Sequence, residues 1–168
     1  MILSNRSWIL LLMVLLLSSG CAPVLSQNLI DQGEGNIDLG GMRQSPDRFQ
    51  GKTLILGGTI IAVTNSADGH GELEILQRPL GYRLEPQLDD QTQGRFLVQR
   101  EGRFEDLEFA KGRKISLAGR VVGSTTRKVD QSDYLYPQLE LIEYYLWPQG
   151  RGGWRDNFFF SIGIGASF

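Results

Sequence analysis

The sequence is poor in the side chains that most enzymes and metal proteins rely on. Cys21 is the only cysteine and His70 the only histidine among 168 residues. A single cysteine excludes an intrachain disulfide framework. One histidine makes a zinc centre, with its three or four ligands, a poor expectation. His70 stands between Gly69 and Gly71, so it is read as a solvated turn residue, although Asp68 and Glu72 flank it. No metal or other cofactor is expected. A basic excess is also missing: 17 Lys and Arg stand against 19 Asp and Glu, a net charge of −2. That balance argues against a nucleic-acid partner, which normally demands clustered positive charge. The chain has no uninterrupted apolar run of membrane-spanning length either. Trp8–Leu17 would rise about 15 Å as a helix, against a hydrocarbon core of roughly 30 Å.

What is there begins at the N-terminus. Arg6 precedes the apolar stretch, which breaks into Ser18-Ser19-Gly20 and then Cys21. A charged start, a short greasy centre and small residues before a cut form the layout of a secretory signal. With cysteine directly after the small residues, the segment looks like a bacterial lipobox, in which the signal is removed and the cysteine acylated. It departs from the usual pattern at one place. Leucine commonly stands three residues before the cysteine, where this chain has Ser18, with Leu17 one place further back. The competing readings are an ordinary cleaved signal and an uncleaved anchor.

Without residues 1–20 the chain loses Arg6 and no acid, leaving 16 basic against 19 acidic residues and a charge of −3. Hydrophobic content of 41% and charged content of 21% fit a folded domain. Residues 21–43 are polar and aperiodic, and are expected to form an acylated N-terminus and a slack tether. Ser45-Pro46 predicts a short helical start, with Ser45 as N-cap, ended by Gly51.

The domain itself, residues 44–148, reads as all-β: a small antiparallel, OB-like barrel of five or six strands with one or two short helices. A plain antiparallel barrel or sandwich fits the same strand list. Thr53–Thr64 is rich in β-branched residues and too long for one flat strand. Gly57-Gly58 at its middle predicts a bulge or bend there. Asn65–Gly71 predicts a turn, Glu72–Arg78 a second strand with Leu73 and Ile75 on one face, and 79–93 a long loop. Gly94–Arg100 reads as strand three, and 104–109 as a turn or two of helix. Lys114–Gly123 alternates, with Ile115, Leu117, Gly119 and Val121 expected inside and Lys114, Ser116 and Arg120 in water. Ser124–Ser132 is expected to be a polar hairpin loop. Strand five is expected over Tyr134–Trp147, with Pro137 at its start or on an edge. Residues 149–168 form a Gly/Phe-rich tail. Its end, Phe158–Phe168, resembles a membrane-barrel closing strand, but the chain lacks the eight or more strands of such a barrel.

Candidate chemistry is sparse. Asp89-Asp90 and Glu105-Asp106-Glu108 are carboxylate clusters in a loop and on a short helix, where solvation is their ordinary state; a glycosidase needs two acids across one cleft. Asp130 and Asp133 lack the spacing of a calcium loop. Gly33, Gly35 and Gly40 follow no strand and open no helix, unlike a phosphate loop. Tyr134, Tyr136, Tyr144, Tyr145 and Trp147 could stack on sugars or bases, but core packing accounts for them better. No catalytic residue is assigned and the ligand-binding residues stay unknown.

The order of segments is similar to that of a known family. Gly57-Gly58-Thr59-Ile60-Ile61, Leu73-Glu74-Ile75 with Arg78-Pro79-Leu80, and Gly94-Arg95-Phe96 carry the likeness, followed by Leu117–Gly123 and Tyr134-Leu135-Tyr136-Pro137 leading to Leu146-Trp147-Pro148. Behind a lipobox, this order over residues 1–148 resembles the Slp family of outer-membrane lipoproteins of Gram-negative bacteria, linked to starvation or stationary phase. The resemblance implies a lipid-anchored, non-catalytic envelope protein with a structural or stress-related role. Its one mapped site is Cys21, as the acylated residue. Ala22, rather than an inner-membrane-retaining Asp, is consistent with the outer membrane. The alternative is a periplasmic binding module that takes a small ligand, a glycan or a partner protein on the barrel face.

Overall fold

The computed structural model describes residues 23–33, 38–88 and 91–149. The signal segment, Cys21, Asp89-Asp90 and the Phe158–Phe168 tail lie outside the described residues. Two short helices, α1 (Gln27–Gln32) and α2 (Leu39–Gln44), and a 3-10 turn over Pro46–Arg48 precede five strands. The strands are β1 (Thr53–Asn65), β2 (His70–Gln77), β3 (Arg95–Glu101), β4 (Lys114–Val129) and β5 (Ser132–Leu146). They close into a barrel in the order β1-β2-β3-β5-β4. Every pairing is antiparallel except β3 with β5, which run parallel through Leu97–Gln99 and Gln138–Glu140. That closure is the OB arrangement, reached because the β3–β4 connection crosses the barrel.

β1 is the strand that makes closure possible. Its first half pairs with β4 and its second half with β2, and Gly58 and Thr59 pair with both. The bulge expected at the glycine pair lies further on, where the register slips between Ile60 and Ala62. The glycines serve close approach instead. A Cβ on Gly57 would run into Leu80 and Pro86, and one on Gly58 into the Leu76 carbonyl. The crossing point has no room for a side chain.

β2 keeps the predicted period: Leu73 and Ile75 are fully buried, with Glu72, Glu74 and Leu76 on the other face. They join Leu54, Leu56, Phe96, Val98, Ile115, Leu117, Val121 and Leu139 in the main core. Each such side chain contributes about 1.5–3 kcal/mol by burial. The 104–109 segment is not a helix of two turns. It makes one α-type bond, Phe109 N–H to the Glu105 carbonyl at 2.9 Å, and then turns away. Phe104 and Phe109 both point inward, ring centroids 4.8 Å apart, while Leu107 is exposed.

Two further expectations are corrected, and a third is narrowed to one of its two branches. Ser124–Ser132 is mostly strand: β4 continues to Val129 and β5 starts at Ser132, with Asp130-Gln131 as a two-residue turn. Asp130 takes the left-handed conformation, φ 55°, which aspartate tolerates. Pro137 lies within β5 rather than at its start. Its missing N–H falls just before Gln138, where β5 begins to pair with β3, so the edge expectation holds. Ser116 is fully buried, not in water, because the outer face of β1 and β4 is covered.

The cover is the supposed tether. Leu25 sits on Ile55 and Ala118, flanked by Val24, Leu29, Ile30, Leu80 and Leu84. Leu39 and Met42 of α2 are fully buried in the main core. Where it is described, residues 23–43 are docked structure rather than slack chain. Ser26 N–H is held by the Glu143 carboxylate, at 3.1 and 3.2 Å, on β5.

Candidate functional site

Among the described residues, polar side chains converge on the outer face of β2. Strand alternation puts Glu72 and Glu74 side by side there, and β3 supplies Gln99 opposite Glu72 and Arg95 opposite Leu76, diagonal to Glu74. The distal part of the β4–β5 hairpin leans across the same face and brings Arg127 and Tyr136. Arg127 donates to both Glu72 oxygens, Nη1 to Oε1 at 2.6 Å and Nη2 to Oε2 at 2.8 Å, and Gln99 Nε2 donates to Oε2 at 3.0 Å. Burial alone would raise the Glu72 carboxyl pKa. The Arg127 and Gln99 hydrogen bonds outweigh it and hold the group below its ordinary value.

Glu74 Oε1 accepts from Arg95 Nη1 at 2.9 Å and from the Tyr136 hydroxyl at 2.9 Å. Burial and the Glu74 carboxylate push the Tyr136 phenol above its ordinary value. Tyr134 is braced at the edge of this network, accepting from Arg43 Nη1 at 2.9 Å and from the Arg95 N–H at 2.8 Å.

Beyond Glu72 the surface opens into a cleft of about 500 Å³, to which Thr64, Ser66, Asp68 and His70 also contribute. His70 is the first residue of β2 rather than part of the turn, and its carbonyl accepts from Ser66 Oγ at 3.0 Å. The Ser66 hydroxyl, bonded to Asp68, lowers the exposed Asp68 carboxyl. The cleft therefore offers hydroxyls, an imidazole and an amide. Its strongest acid and base, Glu72 and Arg127, are committed to each other. Sequence reading did not single out Gln99 and Arg127: one sits on a short strand, the other in a stretch read as loop, and nothing local links either to Glu72.

The other sequence candidates do not converge. Glu105, Asp106 and Glu108 are exposed in the β3–β4 connection. Asp130 is in the hairpin turn, and Asp133 pairs with Lys128 Nζ at 2.8 Å. Among the described residues no three His, Cys, Asp or Glu side chains are grouped as metal donors. The aromatic cluster divides: Tyr136 is buried and edge-on to Tyr134, Tyr144 packs on Phe109 at 5.2 Å, and Tyr145 meets Trp147 edge-on at 5.0 Å. These rings form no single stacking face.

Among solved structures, the chain is similar to a small single-stranded DNA-binding protein from Streptomyces coelicolor. Identity is 12% and the TM-score 0.39, over 58% of this chain and 94% of that one. It is also similar to the mitochondrial single-stranded DNA-binding protein Rim1 of S. cerevisiae, at 14% and 0.37, over 60% and 99%. Likenesses of that size carry no weight for what this chain binds. Among sequences, an uncharacterised protein of Haemophilus influenzae is 34% identical over 57% of this chain and 52% of its own, so the chain spans about half the length of that relative. The uncharacterised lipoprotein YeaY of Escherichia coli is 25% identical over 79% of this chain and 67% of its own. The model of the outer membrane lipoprotein Slp family matches residues 18–157, a longer stretch at the C-terminal side than the 1–148 resemblance and one that includes Cys21. The chain belongs to the outer membrane lipoprotein Slp family.

Proposed function

We propose that Cys21 is the acylated first residue of the mature protein, and that the barrel behind it is a non-catalytic envelope module. The observation that carries this reading is the match to a family of outer membrane lipoproteins over a stretch containing the chain's only cysteine. The chemistry is consistent. One acyl chain binds a bilayer only marginally, but each further buried methylene adds about 0.8 kcal/mol, so a multiply acylated cysteine holds almost permanently. A role in bracing the envelope, or in stress, needs no catalytic residue, and the described acids are ion-paired, hydrogen-bonded or solvated. The partners are membrane lipid through Cys21 and an envelope protein or glycan, rather than nucleic acid. Labelling with a palmitate analogue tests the anchor: wild type takes up label in the outer-membrane fraction and Cys21→Ala does not. Label retained by Cys21→Ala would refute it.

The cleft beside Glu72 favours a second reading, a binding module for a polar ligand such as a glycan. Its hydroxyl, amide and imidazole groups suit sugar hydroxyls. Soluble peptidoglycan fragments should then shift amide resonances of residues 64–72 and of Gln99; a spectrum unchanged at saturating fragment removes this reading.

A further inference from the structure

The outer face of β1 and β4 is covered from two sides, and a groove of about 300 Å³ runs between the covers. Pro23, Val24 and Ile30 line it from the N-terminal segment, and Tyr82, Arg83 and Leu84 from the β2–β3 connection. Tyr82 is completely exposed, at 104% of a free side chain, and Leu88 of the same connection is 66% exposed. Neither contributes to the core.

The loop that displays them is braced. Leu80 bridges to Pro86, and the Gly81 N–H reaches the Glu85 carbonyl at 2.9 Å. Glu85 pairs with Lys114 Nζ at 2.6 Å, and Ser116 Oγ donates to the Leu84 carbonyl. Leu84 itself is held at φ 63°, a costly conformation for a bulky residue. A strained, cross-braced loop that ends in a fully exposed tyrosine presents that side chain to something outside the fold.

Chain connectivity says what lies outside. Pro23 follows Cys21 by two residues, and two residues span at most about 7 Å. The chain also leaves the barrel on this face, since Trp147 Nε1 donates to Ser116 Oγ at 2.8 Å beside the loop. We propose that the groove and the Tyr82 loop are the lipid-facing side of the molecule and seat the barrel on the bilayer interface. Tyrosine favours the headgroup level, arginine the anionic phosphates, and Val24, Ile30 and Leu88 the acyl boundary. The proposal rests on acylation of Cys21.

The test uses the full acylated chain. With Cys21 blocked by lipid, a cysteine introduced elsewhere is the only free thiol. Tyr82→Cys and Gln131→Cys, the latter at the hairpin tip on the far end of β4, are each given an environment-sensitive fluorophore. Both are placed in vesicles of phosphatidylethanolamine and phosphatidylglycerol carrying headgroup nitroxides. Palmitate-analogue incorporation is measured in parallel, and both positions are exposed, so both variants fold. The expected result is several-fold stronger quenching at position 82 than at 131. Equal quenching with acylation intact overturns the lipid-facing side while leaving the anchor in place. Missing palmitate, with both labels unquenched, overturns the anchor and the proposal with it. A shielded label at 82 that ignores nitroxide lipid and stays shielded in detergent puts a second copy or the protein's own acyl chain in the groove, and overturns the proposal as well.

Discussion

Glu72 holds its proton less tightly than an ordinary glutamate because Arg127 and Gln99 bond the ionised form. A carboxyl depressed in the folded state stabilises the fold above its ordinary pKa, and that contribution is lost as pH falls through the lower folded value. Glu72 is mostly covered but Arg127 is close to half exposed, so screening limits the pair to about 1 kcal/mol or less. Urea unfolding at neutral pH and in acid below the ordinary carboxylate range should show wild type losing that increment. Glu72→Gln should lack it at neutral pH and lose correspondingly less in acid; identical acid losses would contradict the assignment. Gly58 gives a second prediction at this scale. A methyl there meets the Leu76 carbonyl rather than a movable side chain, so Gly58→Ala should cost about 1–3 kcal/mol in chemical denaturation. The presence of a special glycine pair was legible in the sequence. What it does was not, because the Leu76 backbone and Leu80 arrive from another strand and a loop.

At the scale of elements, alternation was readable wherever one face of a strand meets water. β2 is the clear case, with Leu73 and Ile75 inward and two glutamates outward. β4 followed the rule through Ile115, Leu117 and Val121 but broke it at Ser116, whose cover comes from residues remote in sequence. The outer part of β4, within the Ser124–Ser132 stretch, reads as loop because its Ser, Thr, Arg and Lys side chains show no buried face; it pairs with β5 and gives Arg127 to Glu72. Residues 21–43 read as slack in the sequence because two six-residue helices have no detectable period and are marginal alone. Their stability comes from docking, through Leu25, Leu39 and Met42. Leu39→Ala or Met42→Ala should therefore cost about 2–5 kcal/mol, as core truncations do. Leu25→Ala should chiefly release residues 23–33, seen as faster amide exchange there with the barrel strands still protected. Phe109→Ala, which empties the space between Phe104 and Tyr144, should cost about 3–5 kcal/mol in urea unfolding.

For the molecule as a whole, five strands close on one another as an OB-type barrel and leave an outer surface free to specialise. One part of that surface carries the Glu72–Arg127 network and its polar cleft, and another carries the groove that begins at Pro23. All-β class and an OB-like barrel of five or six strands could be read from β-branched runs and glycine punctuation, with a plain barrel or sandwich left open. The division of the surface could not, since it depends on which distant segments fold across which face. The family, by contrast, was legible because its signal is linear: a charged start, an apolar centre, small residues, one cysteine and an ordered series of glycine-bounded strands. The central claim is that Cys21 carries the lipid. Intact and N-terminal peptide masses of the protein extracted from outer membranes test it most directly. The expected mature chain begins at Cys21 and bears a thioether-linked diacylglycerol and an amide-linked acyl group, while Cys21→Ala accumulates with residues 1–20 still attached. A mature chain that begins elsewhere, or an unmodified Cys21 thiol, would contradict the account.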